Sequence, residues 1–434
     1  MRIVREDSAY GKRFVERLIH RGSRIPTGVE RSVKKILAEV RQRGDEALLD
    51  YTQRFDCPGF KIEDLRVKPA EIEEAYQRVD PELLSALRLA IRNVRAFHER
   101  ELERSWFYTR EEGIFLGQLV RAVSSAGIYI PGGTGGETPL VSTVVMAAVP
   151  ARVAGVKRIV MVSPPDREGR LHPALLVAAA ECGVTEVYRV GSAWAIAALA
   201  YGTRTIAPVE VIAGPGNIYV TVAKKLLYGE VGVDLVAGPS EVLIVADESA
   251  EAKALAWDLL AQAEHDPLAT AVLFTPSVGL ARRVKREILE ALERLPRRQI
   301  AETALKKQGG ILITRSLSSA LELANRVAPE HLELAVANPF ELLPQLHNAG
   351  AVFLGHHTPE ALGDYVAGPN HVLPTLGAAR FASALSVSVF LKKTSLLFYS
   401  REALGKEGPA VEKLAETEGL TAHAEAVRVR LSPG

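Results

Sequence analysis

The amino-acid sequence predicts an α/β protein built on parallel sheets. Two successive sets of short, β-rich apolar runs alternate with helical segments between about residue 122 and residue 354. This alternation is typical of βαβ units, in which a helix returns the chain so that the next strand lies parallel to the last. A helical region precedes the two sets, and a shorter region follows them.

The helical region opens the chain. Arg31–Phe55 and Pro81–Glu103 carry apolar residues at three- and four-residue spacing, with charged residues between them. That spacing predicts amphipathic helices with one face against a core. The pattern changes to short apolar runs at about Ala122.

Each α/β set alternates predicted strands with predicted helices. The first set has strands at Ala126–Ile130, Ile159–Val162, Glu186–Val190 and Val209–Ala213, and helices at Ser142–Val153, Pro173–Cys182, Ala193–Tyr201 and Ile218–Leu227. The second set has strands at Val242–Val245, Thr270–Phe274, Gly310–Ile313, Leu332–Ala335 and Ala351–Leu354, and helices at Ala250–Glu264 and Val278–Arg294. After Leu385 we predict strands at Ser386–Phe390 and Leu396–Tyr399, a final helix at Gly408–Glu418 and a polar end.

Charge and composition exclude several classes of protein. The 53 Lys and Arg residues nearly balance the 52 Asp and Glu residues, which argues against a nucleic-acid partner. Apolar stretches such as Val141–Val149 are too short to span a membrane, and Met1–Asp7 lacks the apolar core of a signal peptide. We therefore expect a cytoplasmic protein. Cys57 and Cys182 are far apart, which excludes a disulfide scaffold and a thiolate zinc site.

Three glycine-containing loops are candidates for ligand binding. Gly127–Gly136 follows a predicted strand, Gly214–Asn217 lies between a strand and a helix, and Ala237–Glu241 lies at the next such junction. Glycine lets backbone N–H groups approach a phosphate, and ligands of open α/β sheets bind where such loops converge. The spacing is not the G-x-G-x-x-G fingerprint, so each loop alone fits a ligand-free turn equally well.

Four residues could bind a metal ion. Gln262 and His265 are three positions apart at the end of a helix and therefore share a face. Asp364 offers an oxygen ligand, and His423 lies in the polar C-terminal segment. Alone, His265 also fits a capping or core role. The neighbouring pair His356–His357 would face opposite sides of an extended chain, so we interpret it as a surface feature.

Glu330 and His331 are candidates for acid–base chemistry. They follow Pro329, where a predicted helix gives way to a strand. A histidine can take a hydroxyl proton near neutral pH, and an adjacent carboxylate can activate water. A solvated charged pair at a turn is the alternative interpretation.

Together these segments resemble the histidinol dehydrogenase family over essentially the whole chain, as far as Thr421–His423. The motifs that carry the resemblance are GPGNIYVTVAKK (214–225), VDLVAGPSEVL (233–243), LLAQAEH (259–265), NRVAPEHLEL (325–334), GDYVAGPNHVLPT (363–375) and EGLTAH (418–423).

The resemblance implies roles for individual residues, which fall into four groups. The implied zinc ligands are Gln262, His265, Asp364 and His423; the catalytic pair is Glu330 and His331; the substrate contacts are Ser240, Glu418, His331 and the four zinc ligands; and the NAD contacts are Tyr129 and Asn217. One position departs from the family. Where many relatives have an NAD-binding glutamine, this chain has Trp194, whose indole can donate a hydrogen bond and stack on a base or ribose.

The resemblance also implies an architecture. It predicts two incomplete Rossmann-like units, one inserted into the other, and a homodimer with one Zn²⁺ ion per subunit in which Glu418 and His423 act in the partner's site. The implied domains are an N-terminal segment (1–23), a zinc-binding catalytic domain (24–124 plus 241–384), an NAD-binding domain (125–240) and a C-terminal extension (385–434).

The implied reaction is oxidation of L-histidinol through L-histidinal to L-histidine, with reduction of two NAD⁺, at the end of histidine biosynthesis. A zinc hydrolase is an alternative, because a metal with a Glu and a His also suits water activation; the chain has no HExxH helix. A relative that oxidises another amino alcohol, or only binds a ligand, is a further alternative.

Overall fold

The computed structural model describes residues 1–22, 26–132, 138–235 and 238–432. They form two compact units, which are considered separately. The first unit comprises Met1–Glu101 and Ser124–Phe390, and the second comprises Leu102–Val123 and Leu391–Gly434. The finer division of the first unit, at residues 125 and 240, stays a prediction.

The strands in chain order are β1 (Ile3–Arg5), β2 (Trp106–Glu111), β3 (Ile114–Ala122), β4 (Ser125–Tyr129), β5 (Arg158–Ser163), β6 (Glu186–Arg189), β7 (Val211–Ala213), β8 (Gly232–Val233), β9 (Glu241–Ala246), β10 (Thr270–Thr275), β11 (Gly310–Ile313), β12 (His331–Ala335), β13 (Ala351–Leu354) and β14 (Leu391–Tyr399).

The helices are α1 (Ala9–Ile19), α2 (Thr27–Arg43), α3 (Asp45–Phe55), α4 (Pro69–Arg78), α5 (Pro81–His98), α6 (Val141–Ala154), α7 (Pro173–Glu181), α8 (Ser192–Tyr201), α9 (Ile218–Leu227), α10 (Ala252–Ala263), α11 (Val278–Leu292), α12 (Arg298–Lys307), α13 (Leu317–Val327), α14 (Glu360–Tyr365), α15 (Arg401–Thr417) and α16 (Thr421–Leu431). None of the described helices is long and apolar enough to cross a membrane.

The first unit contains two parallel sheets. The small sheet has the strand order β6-β5-β4-β7-β8, and the large sheet has the order β1-β11-β10-β9-β12-β13. If β4 to β8 of the small sheet and β9 to β13 of the large sheet are each renumbered 1 to 5 along the chain, both sheets have the order 3-2-1-4-5. This is the order of a Rossmann fold that lacks its sixth strand. The N-terminal β1 adds to the edge of the large sheet. Every pair in both sheets is parallel. The predicted fold class, with two incomplete Rossmann-like units, is confirmed.

The central strands of both sheets are buried on both faces. All residues of β9, β10 and β12 are buried, as are those of β4 and β7. This burial explains the continuous apolar runs in the sequence, because helices cover both faces of a parallel sheet. The reversal of strand order falls between β4 and β7 in the small sheet and between β9 and β12 in the large one.

The N-terminal helices differ from the prediction at one break, and α1 and α4 were not predicted. The predicted helix Arg31–Phe55 is two helices, because Gly44 has a φ of +56° and separates α2 from α3. Glycine adopts such a φ without a steric penalty. The helix from Pro81 is capped by the Asp80 side chain, which accepts from Glu82 N at 3.0 Å.

The second unit contains an antiparallel sheet of order β14-β3-β2 and the packed helices α15 and α16. Strands β2 and β3 begin well before the predicted change of pattern at Ala122. Every residue of β2 is exposed, so this strand lacks the apolar alternation by which strands are recognised.

The predicted secondary structure of the C-terminal region was wrong in three respects. Val387–Phe390 is a 3₁₀ turn rather than a strand, the helix after β14 begins at Arg401 rather than Gly408, and the polar end forms α16. Gly408 and Pro409 suggest a helix start, yet both lie inside α15. A Cβ on Gly408 would lie 2.8 Å from Val427 Cγ1, so the glycine allows α15 and α16 to pack closely.

Candidate functional site

The candidate catalytic residues lie where two neighbouring strands of the large sheet begin. β9 starts at Glu241 and β12 at His331, and His331 pairs in register with Val242. Because the strands are parallel neighbours, Glu330 and His331 lie beside the start of β9. The residues therefore meet at the amino ends of these strands, the opposite edge from the one where Rossmann-type sheets usually bind ligands.

The backbone of Glu241 contacts both candidate catalytic side chains. Its N–H donates to Glu330 Oε2 at 2.8 Å, and its carbonyl oxygen lies 3.0 Å from His331 Nδ1. A carbonyl only accepts, so Nδ1 carries the proton in this contact and Nε2 is the unprotonated nitrogen of a neutral imidazole. Nε2 is buried and has no hydrogen-bond partner among the described residues.

Burial favours the neutral forms of both side chains. It lowers the pKa of His331 to about 4, although the Asp364 carboxylate opposes this shift. Burial also raises the pKa of Glu330 well above its usual range, with a further contribution from the Glu241 carboxylate. The 3.8 Å approach of His331 Nδ1 to Glu330 Oε2 is therefore not an ion pair at neutral pH, and His331 remains able to accept a proton.

A group of possible metal-binding atoms lies beside His331. Ligand atoms of His331, Glu360 and Asp364 all lie within 4.8 Å of one another. His331 Nε2 is 4.0 Å from Asp364 Oδ1, and His331 Nδ1 is 3.3 Å from Glu360 Oε1. His371 Nδ1 lies 3.0 Å from the carbonyl oxygen of Asp364. Asp364 was among the predicted ligands, whereas Glu360 and His371 were missed.

A spacing signal could have found Glu360. It lies four positions before Asp364 on α14, and residues at that spacing share a helix face. Burial raises the pKa of Glu360 well above its usual range, and the Asp364 and Glu333 carboxylates add to the shift. His371 lies within one of the segments that carry the family resemblance, but its spacing alone indicates nothing.

The other first-unit ligand candidates lie at the end of α10, which packs against α14. Gln262 is completely buried in the last turn, and neither polar atom of its amide has a hydrogen-bond partner among the described residues. His265 is exposed just after the helix. Its charge contributes to lowering the pKa of both His331 and His371, so it lies near both rings.

Two predicted site residues belong to the second unit. Glu418 caps the C-terminus of α15 and His423 lies in the first turn of α16, and both are exposed. The remaining predicted site residues belong to the first unit. His356 and His357 are exposed, and His356 Nε2 lies 3.1 Å from Ser249 Oγ, so their interpretation as a surface feature is confirmed.

Two of the glycine loops follow the adjacent strands β4 and β7 of the small sheet, at the reversal of strand order. Gly214 has a φ of +111°, and a Cβ there would lie 2.3 Å from the carbonyl oxygen of Tyr129. Only glycine allows the two loops to approach so closely. Asn217 caps α9, because its Oδ1 accepts from Tyr219 N and Val220 N, which leaves its amide N–H₂ to donate to a ligand. Residues 133–136 of the first loop lie outside the described residues.

The third glycine loop is placed differently from the prediction. It leads into β9 at the amino end of the large sheet, rather than from a strand to a helix. Ala237 lies outside the described residues, and Gly238 N donates to Thr375 Oγ1 at 2.6 Å. Ser240 is half-buried directly before Glu241, and its carbonyl accepts from Thr270 N at 3.0 Å. Ser240 is thus next to the residue whose backbone contacts Glu330 and His331.

Trp194 lies on α8, and its side chain is buried in the hydrophobic core. Its ring packs nearly parallel to those of Tyr51 and Phe55, with centroids 5.4 and 5.6 Å away. The indole Nε1 is buried and has no partner among the described residues. Tyr129 is also buried, and its hydroxyl accepts from Ser192 N at 3.1 Å, which connects the end of β4 to the start of α8.

Comparison with known proteins identifies the family. The family model described as histidinol dehydrogenase matches residues 20–431. A histidinol dehydrogenase of Carboxydothermus hydrogenoformans is 55% identical over 422 residues, covering 96% of this chain and 98% of the relative. One of Desulfotalea psychrophila is 52% identical over 424 residues, covering 98% of each chain.

A solved structure agrees with these relatives. The crystal structure of histidinol dehydrogenase from Elizabethkingia anophelis superposes with a TM-score of 0.92 at 36% identity, covering 99% of this chain and 98% of that one. The family model, the relatives and the solved structure all extend over nearly the full length. This chain therefore belongs to the histidinol dehydrogenase family.

Proposed function

We propose that this chain oxidises L-histidinol through L-histidinal to L-histidine, with reduction of two NAD⁺, in cytoplasmic histidine biosynthesis. The observation that carries the proposal is the buried pair Glu330 and His331, in which Nδ1 of His331 faces a carbonyl and Nε2 has no partner among the described residues. Relatives named histidinol dehydrogenase, 52–55% identical to this chain, support the substrate.

The side chains that we propose as metal ligands fit a zinc ion. The buried amide of Gln262 has no partner among the described residues, and burying an amide without a hydrogen bond is costly. A metal ion bound to its oxygen would remove part of that cost. We assign the ligands to Gln262, His265, Asp364 and His423, one ion per subunit, because amide, imidazole and carboxylate donors suit zinc with positions open to substrate.

Zinc, when bound, supplies a cationic anchor for the imidazole and amino groups of the substrate, which orients the carbinol. Around this anchor, Ser240, Glu418 and His331 complete the substrate contacts. Because Glu418 and His423 belong to the C-terminal extension, we assign them to the site of the partner subunit in a homodimer. We also propose the finer domains that the resemblance implies: residues 24–124 plus 241–384 carry the catalytic site and residues 125–240 bind NAD.

His331 serves as the base for both oxidations. Its Nε2 accepts the hydroxyl proton of the alcohol while hydride leaves the carbinol carbon, and it accepts the hydroxyl proton of the aldehyde hydrate in the same way. The contact between Nδ1 and the Glu241 carbonyl favours the tautomer that this role requires. The low pKa of His331 keeps Nε2 unprotonated before each step.

Glu330 acts between the two oxidations. Its carboxyl group, neutral in the buried site, positions the water that adds to the aldehyde carbon. It accepts a proton from this water on one oxygen and gives its own proton to the aldehyde oxygen, so the hydrate forms with no net change of charge on Glu330. NAD supplies the hydride acceptor. We assign its contacts to Tyr129 and Asn217, because the loops after β4 and β7 meet where Rossmann-type sheets bind dinucleotides. We add Trp194 because it stands where many relatives have an NAD-binding glutamine.

The decisive experiment is NAD⁺ reduction with L-histidinol by the purified protein, before chelation, after chelation and after zinc is restored. We expect two NADH per histidinol, loss of activity on chelation and its return with zinc. If the protein oxidises another amino alcohol and not histidinol, that alcohol takes the place of histidinol as the proposed substrate. No NADH from a zinc-loaded dimer with any amino alcohol would contradict the proposal.

A further inference from the structure

Arg21 has no role in the function described above, yet its guanidinium is almost completely buried. It follows α1, and its side chain is 10% exposed. The planar guanidinium donates hydrogen bonds to both carboxylate oxygens of Glu241: Nη2 donates to Oε2 at 2.7 Å, and Nε donates to Oε1. An arginine held by both oxygens of a buried carboxylate fixes the orientation of its partner as well as its position.

The same guanidinium also contacts the end of α13. Nη1 donates to the carbonyl of Val327 at 2.8 Å, and Nη2 donates to that of Ala328 at 3.3 Å. Ala328 has a φ of +49°, a conformation that is unfavourable for alanine and persists where the surroundings stabilise it. The candidate catalytic pair begins two residues later, at Glu330.

Arg21 therefore contacts both segments that position the catalytic pair. Through the Glu241 side chain it holds the start of β9. The backbone N–H of Glu241 contacts Glu330 Oε2, and its backbone carbonyl contacts His331 Nδ1. Through Val327 and Ala328 it holds the turn that leads into the pair. Arg21 donates no hydrogen bond to a side chain of the pair, although its charge partly opposes the rise in the pKa of Glu330. Its contacts reach the pair through Glu241 and this turn.

We propose that Arg21 is a positioning residue for the catalytic pair, and that its two-pronged contact with Glu241 orients His331 for proton transfer. This inference rests on the proposed function and names a residue that acts within it. A lysine would retain the charge but contact only one point, so it would leave the orientation of the Glu241 carboxylate less constrained. Misplacement of a catalytic group by about 1 Å can cost about 100-fold in rate.

The test compares Arg21→Met and Arg21→Lys with Arg17→Met in the full-length, zinc-loaded protein. Arg17 lies on α1, is exposed and contacts the carbonyl of Lys307 at 3.2 Å, so its variant controls for loss of an arginine from the same region. The readouts are kcat per bound zinc, KM for NAD⁺ and for histidinol, and the isotope effect with histidinol deuterated at the carbinol carbon.

We expect Arg21→Met to lower kcat per bound zinc by about 10- to 100-fold, to leave KM for NAD⁺ unchanged and to raise the deuterium isotope effect. Arg21→Lys should fall between Arg21→Met and the wild type, and Arg17→Met should match the wild type. A purely structural role would lower the number of zinc-loaded sites and leave kcat per site and the isotope effect unchanged. That result would overturn the inference.

If Arg21→Met does not fold, Arg21→Lys decides the question, because it keeps a positive charge beside Glu241. A wild-type isotope effect and kcat per zinc in Arg21→Lys would then contradict the positioning role. The wild-type protein separates the two proposals. If it reduces no NAD⁺ with histidinol, the proposed function fails; if it is active and the Arg21 variants match it, only this inference fails.

Discussion

Lys224 and Asp234 form an ion pair in which neither side chain is more than 4% exposed, and both partners contact the same residue. Lys224 Nζ donates to the carbonyl of Gly214 at 2.9 Å, while Gly214 N donates to Asp234 Oδ2 at 2.7 Å. The pair thus holds both polar backbone groups of the glycine that begins the loop to Asn217. Buried charges of this kind are stable only while both partners are present.

Replacing Lys224 by Met should therefore leave Asp234 as an uncompensated buried charge. We expect the free energy of unfolding to fall by about 3–5 kcal/mol, measured by urea denaturation. Lys225→Met is the matched control, because Lys225 is the exposed neighbour on α9 and surface substitutions usually change stability by less than about 0.5 kcal/mol. Equal stability of the two variants would show that the pair contributes nothing.

Substitution of the catalytic pair should separate the two oxidations. His331→Asn should lower NADH formation from both histidinol and histidinal by about 100-fold or more, because a general base contributes about 10²–10⁴-fold to rate. Glu330→Gln should slow the histidinal reaction and leave the rate of alcohol oxidation nearly unchanged. Separate assays with each substrate measure this. A Glu330→Gln enzyme with normal histidinal turnover would contradict the division of roles.

Asp56 should make stability depend on pH. Burial raises the pKa of its carboxyl group to about 7, against an unfolded value near 3.8, and Arg167 only partly opposes the shift. Between about pH 4 and pH 7 the folded state keeps a proton that the unfolded state has released, so stability falls as the pH rises through this window.

Asp56→Asn removes the ionisable group, so its stability relative to the wild type should increase from pH 4 to pH 8. Unfolding temperatures of the two proteins across this range measure the effect. Glu46→Gln, at an exposed position on α3, the helix that ends just before Asp56, should produce no such change. Parallel pH profiles for wild type and Asp56→Asn would show that the buried carboxyl ionises normally.

Trp194 should contribute to stability through its packing rather than through its indole N–H. Trp194→Gln should cost about 3 kcal/mol, because it removes a large buried ring from its contacts with Tyr51 and Phe55. Trp194→Phe should cost less, since it keeps an aromatic ring and removes a buried N–H that has no partner among the described residues. Urea denaturation measures both, and KM for NAD⁺ tests the cofactor contact. Equal losses in the two variants would contradict the packing explanation.

The two parallel sheets could be predicted because their strands are buried on both faces. Strands such as β11, and β9 after its first residue Glu241, are continuous apolar runs of the length expected for strands. The second unit lacks this signal: β2 is exposed throughout and β14 largely so. Only the second half of β14 was predicted, as the strand Leu396–Tyr399. β2 and β3 could not be separated from surface segments, and Gly408 obscured the start of α15.

The proposed catalytic pair and Asp364 could be located from their motifs, whereas residues that act through long-range contacts could not. Arg21 and Glu241 are 220 positions apart, and neither has a neighbour in sequence that suggests a partner. Glu360 had a usable signal in its four-residue spacing from Asp364. His371 became recognisable only when the fold placed its ring beside the backbone of Asp364.

The pairing of β1 with β11 has a consequence for how the chain is made. Ile3 lies opposite Ile311, and at a synthesis rate of roughly 5–20 residues per second the first strand waits some tens of seconds on the ribosome for its partner. During that time the apolar face of α1, with Phe14, Val15 and Leu18, has no core to pack against. A nascent chain that stalls before β9 exposes this helix together with Arg21, which then lacks Glu241, Val327 and Ala328 as acceptors. Unfinished copies of this kind are good substrates for chaperones and proteases.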